Sequence, residues 1–166
     1  MKVLAIDQSY TCSGFVVLRS SQVLHAEKFV TDKTKDIFER AWDVVEKTAE
    51  ICRDYKPDII AMEGLAFGGK GNATRDLAGL QFVIATRMRF VHGIDVKIVA
   101  PGTVKKLATG KGNSPKTMLL ECLPKDVHEM FLGLGVKKTT GLLDLTDAYW
   151  IGRTVEEIQN EKTVSK

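Results

Sequence analysis

No stretch of this sequence approaches the roughly 20 consecutive apolar residues that a membrane-spanning helix requires, so a helical membrane protein is not expected. Met1-Lys2-Val3-Leu4 runs straight into a strand-like segment and lacks a signal-peptide layout. Cysteine is sparse: Cys12, Cys52 and Cys122 are odd in number, far apart and without a CxxC pair. That argues against a disulfide framework and a structural zinc site, and for reduced thiols in the cytoplasm. His25, His92 and His128 show no ligand spacing and read as structural or surface residues. Neither an internal repeat nor a linker is visible.

Excess charge is also small, with 24 basic against 21 acidic residues and a formal net charge of +3. A hydrophobic share of 44% and a charged share of 27% are ordinary globular composition, and 166 residues suit one domain with a sizeable core. The distribution of charge is less ordinary. From Lys97 to Lys116 come five lysines (97, 105, 106, 111 and 116) and no acid, interleaved with Gly102, Gly110, Gly112, Asn113 and Ser114. A solvated loop accounts for that segment taken alone; beside an acidic cluster it suits a phosphodiester substrate.

The apolar pattern predicts strands at Lys2–Asp7, Gly14–Arg19 and Gln22–Thr31, with Ser20-Ser21 as a tight turn. A helix follows over Asp32–Asp54, stopped by Lys56-Pro57, then a buried strand over Asp58–Met62. Gly64–Asn72 reads as a glycine-rich loop, Ala73–Val91 as a second long helix and Val96–Val99 as a strand. Short helices are predicted at 102–109, at 114–123 with Ser114 as cap and Pro115 opening the helix, and at Lys125–Leu132. Leu143–Gln159 is the terminal helix, so the domain is taken as 1–158, with 159–166 as a polar tail. This order predicts a three-layer α/β domain around a mixed five-stranded sheet that begins with a meander. The wide apolar face of the 73–91 helix fits core packing or, alternatively, a helix-mediated homodimer.

Four acids stand out. Asp7 closes Val3-Leu4-Ala5-Ile6, Glu63 closes Ile59-Ile60-Ala61-Met62, and Asp144 and Asp147 open the last apolar helix, three residues apart. Each alone fits a turn former or a helix cap, and for Asp144 capping and catalysis fit equally. Two acids directly after apolar strands point instead to a shared ion site, because carboxylates at strand ends are costly without a cation. Hard oxygen ligands select Mg2+ or Mn2+ over zinc, and paired divalent ions are a common tool for cutting phosphodiesters. The residues thus predict a metal-dependent nuclease. Lys105 and Lys116 are the basic residues of interest for gripping phosphate.

From about Val3 to Arg153 the chain resembles the RuvC-type Holliday-junction resolvases of the RNase H-like superfamily. The resemblance rests on Ile6-Asp7 with Gly14 seven residues on, on Lys56-Pro57-Asp58 leading to Glu63, and on Ala100-Pro101-Gly102-Thr103-Val104-Lys105. Gly110-Lys111-Gly112-Asn113-Ser114-Pro115-Lys116 and Asp144-Leu145-Thr146-Asp147-Ala148 complete it. It implies an RNase H-like fold, a homodimer, and two Mg2+ ions per site (Mn2+ substituting) held by Asp7, Glu63, Asp144 and Asp147. Lys105 and Lys116 match positions used at the scissile phosphate; Lys106, Lys111, Lys70, Arg75 and Phe67 are further expected DNA contacts. Paired symmetric nicks in a four-way junction, leaving 5′-phosphate and 3′-hydroxyl ends, would be the activity, with no nucleotide cofactor. Two departures stand out. Gln8-Ser9 replaces the common Pro-Gly, and Ala66 stands at the aromatic wedge position, with Phe67 following; the divergence looks like a phage-type member.

Other readings of the same residues are a broader fork or flap nuclease, an enzyme acting on RNA–DNA hybrids, and a catalytically silent junction binder. An actin-like ATPase or sugar-kinase fragment shares the Asp-ended first strand, but that fold needs two such domains.

Overall fold

The computed structural model describes residues 1–65, 71–137 and 141–164, the side chains of 163 and 164 excepted. Three strands open it: β1 (Lys2–Asp7), β2 (Cys12–Arg19) and β3 (Gln22–Val30). Then come α1 (Ile37–Tyr55), β4 (Ile59–Glu63), α2 (Asn72–Val91) and β5 (Asp95–Val99). The rest is helical: α3 (Pro101–Thr109), α4 (Lys116–Glu121), α5 (Lys125–Gly133) and α6 (Leu142–Val164). The sheet order is β3-β2-β1-β4-β5, antiparallel through the meander and parallel from β1 to β4 to β5; five strands, mixed pairing and an opening meander are as the sequence predicts.

Period-two alternation divides the core into two layers. Val3, Ala5, Val16, Leu18, Ile59 and Ala61 face α6 and the short helices, where they meet Leu145, Ala148, Ile151 and Phe131. Leu4, Ile6, Phe15, Val17, Ile60 and Met62 face α1 and α2, against Val44, Val45, Leu80, Ile84 and Met88. The result is a helix–sheet–helix sandwich. α6 lies close on the sheet because Gly152 has no side chain; a Cβ there would come within 2.5 Å of Leu18 and 3.0 Å of Ala5.

Local boundaries differ from the sequence reading in three places. α1 starts at Ile37 rather than near Asp32, because Asp36 and Glu39 form a reciprocal capping box, while Asp32 turns the preceding loop through Thr34. Ser114 does not cap α4. Its hydroxyl donates to the Lys111 carbonyl at 3.0 Å and pairs with Thr109 Oγ1 at 2.7 Å, so it closes the α3–α4 loop and the helix begins at Lys116. The terminal helix, expected to end at Gln159, continues to Val164.

The Ser20-Ser21 turn is as predicted, with both residues at positive φ (50° and 69°). Ser21 N–H donates to the buried Glu156 carboxylate at 3.0 Å, pinning the hairpin to α6. Among the described residues no helix is long and apolar enough to cross a membrane, and Cys12, Cys52 and Cys122 are free thiols.

Candidate active site

The same alternation that builds the core aims the acids. Val3 and Ala5 face α6, so Asp7 does too; Ile59 and Ala61 face α6, so Glu63 follows. Ile6 pairs with Met62 in the parallel register, which sets Asp7 beside Glu63 at adjacent strand ends. Carboxyl ends of parallel strands are where α/β sheets gather their chemistry. α6 supplies the other two acids from its first turns. Asp147 is buried, while Asp144 is half-buried and accepts from Gly141 N–H at 3.1 Å.

α6 approaches this corner at very close range. Gly14, paired with Asp7 on β2, would put a Cβ only 2.3 Å from the Asp144 carbonyl oxygen and 2.5 Å from its carbon. Only a glycine lets the two backbones meet there.

Asp7, Glu63, Lys105 and Lys116 line a cleft of ≈ 400 Å³, with Gln8, Thr74 and Leu77 among its other walls. Lys116 Nζ donates to Asp147 Oδ2 at 2.7 Å, so Asp147 has a cationic partner. Neither Asp144 nor Asp147 is on the cleft wall; Asp144 accepts from Gly141 N–H at 3.1 Å and lies near the Cys12 thiol.

Electrostatics mark the acids as one group. Burial pushes the Asp7 carboxyl well above its ordinary value; Asp147 adds to the rise, Lys116 opposes it, and Asp144 and Glu63 add less. Glu63 is raised by burial first and Asp147 next, against Lys116 and Lys105. Asp147 is also raised, because burial outweighs the Lys116 ion pair. Burial works against the Lys116 ammonium, yet Asp147, Asp7 and Glu63 together raise its pKa.

Among the described residues no three Asp, Glu, His or Cys side chains converge closely enough to hold one metal ion as they stand. The donor set nevertheless fits a hard divalent cation. Asp7 and Glu63 bring carboxylate oxygens to the cleft wall, and the repulsion among the acids around Asp7 is what such a cation would relieve.

The other expected DNA contacts divide. Lys105 faces the cleft, whereas Lys106 turns to the opposite side of α3, beside Thr154 and Glu157 of α6. Lys111 is exposed on the loop after α3, and Arg75 is exposed at the start of α2, 3.3 Å from Asp76. Phe67 and Lys70 lie outside the described residues. Sequence reasoning missed Gln8, Gln81 and Cys12. Gln8 and Gln81 both donate to the Glu63 carbonyl. The Cys12 thiol, pushed up to about 11 by burial and then by Asp144, stays neutral.

The family model for crossover junction endodeoxyribonuclease RuvC matches residues 3–130, a span containing Asp7, Glu63, Lys105 and Lys116. The chain belongs to the RuvC family. Asp144 and Asp147 lie beyond that match, but relatives extend over α6. RuvC of Campylobacter curvus is 25% identical over 158 residues, covering 93% of this chain and 95% of its own. RuvC of Synechococcus sp. is 25% identical over 131 residues, 76% of this chain and 84% of its own. The solved structure of T. thermophilus RuvC in complex with Holliday junction substrate superposes with a TM-score of 0.75 at 24% identity, covering 98% of this chain and 97% of that one. The RuvC fold thus includes the terminal helix that carries Asp144 and Asp147.

Proposed function

We propose that this RuvC-family chain is a Mg2+-dependent endonuclease that resolves four-way DNA junctions by paired, symmetric nicks. The observation that carries the reading is the cleft where β1, β4 and α4 bring Asp7, Glu63 and Lys116 together, with Asp147 ion-paired to Lys116. Asp7, Glu63 and Asp147 would hold the cations, with Asp144 beside them. Bound divalent ions supply the charge that activates water and stabilises the leaving 3′ oxygen. The chain's own groups do the rest. Lys105 attracts the phosphate into the cleft. Lys116 exchanges Asp147 for the negative charge that develops on the non-bridging phosphate oxygens. Leu77 and Pro101 on the cleft wall limit water around the site.

Paired nicks need two sites, and α2 supports a homodimer. Phe82 (72% exposed) and Phe90 (79%) stand eight residues apart on α2, roughly 80° apart round the helix with Val83 on the same side, and Phe38 is exposed on the neighbouring α1. Large apolar side chains grouped on one helix face mark an interaction surface. Phe82→Glu with Phe90→Glu is expected to turn a dimer into a monomer in light scattering, and to replace paired nicks by single, uncoordinated ones. A dimer that survives both charges would place the interface elsewhere.

The decisive assay is cleavage in Mg2+ of a labelled four-way junction beside linear duplex, a fork and an RNA–DNA hybrid, with Glu63→Gln as control. Symmetric nicks in the junction alone, absent in Glu63→Gln, are expected. Cutting of forks as well would broaden the substrate to branched DNA; degradation of the hybrid alone would overturn the junction reading.

A further inference from the structure

We propose that Gln8 and Gln81 form an amide clamp on the Glu63 main chain, acting as positioning residues that set the spacing of Glu63 from Asp7. This rests on the reading of Glu63 as a cation-holding group.

The Glu63 carbonyl accepts two side-chain amides at once, from Gln81 Nε2 at 2.7 Å and Gln8 Nε2 at 3.1 Å. On the other side of the same peptide, Gly64 N–H donates to the Val99 carbonyl at 2.7 Å. The peptide after Glu63 is therefore held by three bonds to three separate elements: the β1 exit, α2 and β5. Strand ends are ordinarily where a ladder frays; this one is fixed where a carboxylate must be aimed. The two amides also come from informative places. Gln8 follows Asp7 directly, so its bond ties the chain carrying one acid to the chain carrying the other. Gln81 lies on α2, which is also tied to the β1–β2 loop carrying Gln8, through Tyr10 Oη donating to the Asp76 carbonyl at 3.0 Å.

The chemistry fixes the direction of both amides. A carbonyl acceptor demands the NH2 end, because the reversed amide would set oxygen against oxygen. For Gln8 the consequence is visible: its side chain is buried, and Oε1 has no hydrogen-bond partner among the described residues. A buried acceptor left unpaired is disfavoured, and a residue serving only to pack would be better as an apolar one. The donor end explains its presence. A proline at this position could not donate. The clamp has work to do, since Ile6 pairs with Met62 in the parallel register and the two acids close adjacent strands, where no further β1–β4 pair fixes the peptide after Glu63. Groups that orient a metal ligand without touching the metal commonly change affinity about 10–100-fold.

Methionine matches glutamine in length and removes the donor. Gln8→Met, Gln81→Met and the double variant would be compared with the wild type by Mn2+ titration of the intact protein, read from the electron paramagnetic resonance signal of free Mn2+. Thermal melting and the Mg2+ concentration for half-maximal junction cleavage complete the set. Each single variant is expected to weaken Mn2+ binding about 3-fold, and the double about 10-fold or more, at the lower edge of the outer-shell range. Melting should change little, and the cleavage rate at saturating Mg2+ should return close to wild type. A folded double variant with wild-type Mn2+ affinity would overturn the clamp; if the double does not fold, wild-type affinity in both singles does so. Glu63→Gln in the same titration separates the two ideas. If it leaves Mn2+ binding intact, the cation reading of Glu63 fails; if it weakens binding and the glutamine variants do not, only the clamp fails.

Discussion

Asp7→Asn is expected to abolish cleavage and, in the absence of divalent ions, to raise the melting temperature. The loss should be at least about 10²–10³-fold, the scale of removing one preorganised electrostatic group from an active site. The gain in stability follows from the direction of the Asp7 shift. Burial, with Asp147, Asp144 and Glu63 adding to it against Lys116, raises this carboxyl well above its ordinary value. A raised acid binds more protons in the folded state than in the unfolded one. Stability therefore falls as pH rises from the ordinary carboxylate range, near ~4, up to the raised value, and the full penalty is present above that value. Asparagine keeps the shape and removes the penalty. The melting-temperature gap between variant and wild type should be widest at neutral pH and close as pH falls towards ~4. Mg2+ or Mn2+ should narrow the gap from the other direction, by stabilising the wild type through binding to the folded state alone. A variant that melts below the wild type at pH 7 would mean that Asp7 is held by favourable contacts rather than frustrated. Such a trade of stability for activity is a common signature of catalytic carboxylates.

Much of this site is legible in the sequence because it rests on periodicities. Acids closing two apolar strands must share a face if the strands are parallel neighbours in register, and Ile6 does pair with Met62. Asp144 and Asp147 were findable as acids opening an apolar helix, and the mixed five-stranded sheet followed from the order of elements. What local pattern cannot carry is the pairing of groups distant along the chain. Lys116 and Asp147 are 31 residues apart, and Gln81 meets Glu63 from 18 residues away. Nothing in the sequence around Gln81 marks it, whereas Gln8 carries a weak signal as a polar residue buried directly after Asp7. Ser114 was misread because a hydroxyl before proline has two uses, and the loop to Thr109 competes with the helix cap. The α6 terminus was set too early because its polar end was read as a tail, although glutamate and lysine are good helix formers.

Gly14→Ala tests how much of the activity depends on the approach of α6 to the sheet. The substitution changes no charge, and the backbone at this residue is not at positive φ, so the added methyl acts through contact alone. It would stand 2.3 Å from the Asp144 carbonyl oxygen, 2.5 Å from its carbon and 3.0 Å from Leu145 N, all backbone atoms that cannot rotate away. The start of α6 must retreat by roughly 1 Å to restore ordinary contact, carrying Asp144 and Asp147 with it. Overpacking of this kind typically costs about 1–3 kcal/mol, which lowers melting by a few degrees in a chain of this size without unfolding it. Cleavage should suffer far more, by about 10²-fold, because a 1 Å misplacement of reacting groups has that scale of effect. Gly133→Ala is the matched control, since a Cβ there meets nothing within 4 Å. It should leave both melting and cleavage near wild type. Equal, small losses in the two variants would show that the acids of α6 tolerate displacement, and that Asp7 and Glu63 on the sheet define the site without them.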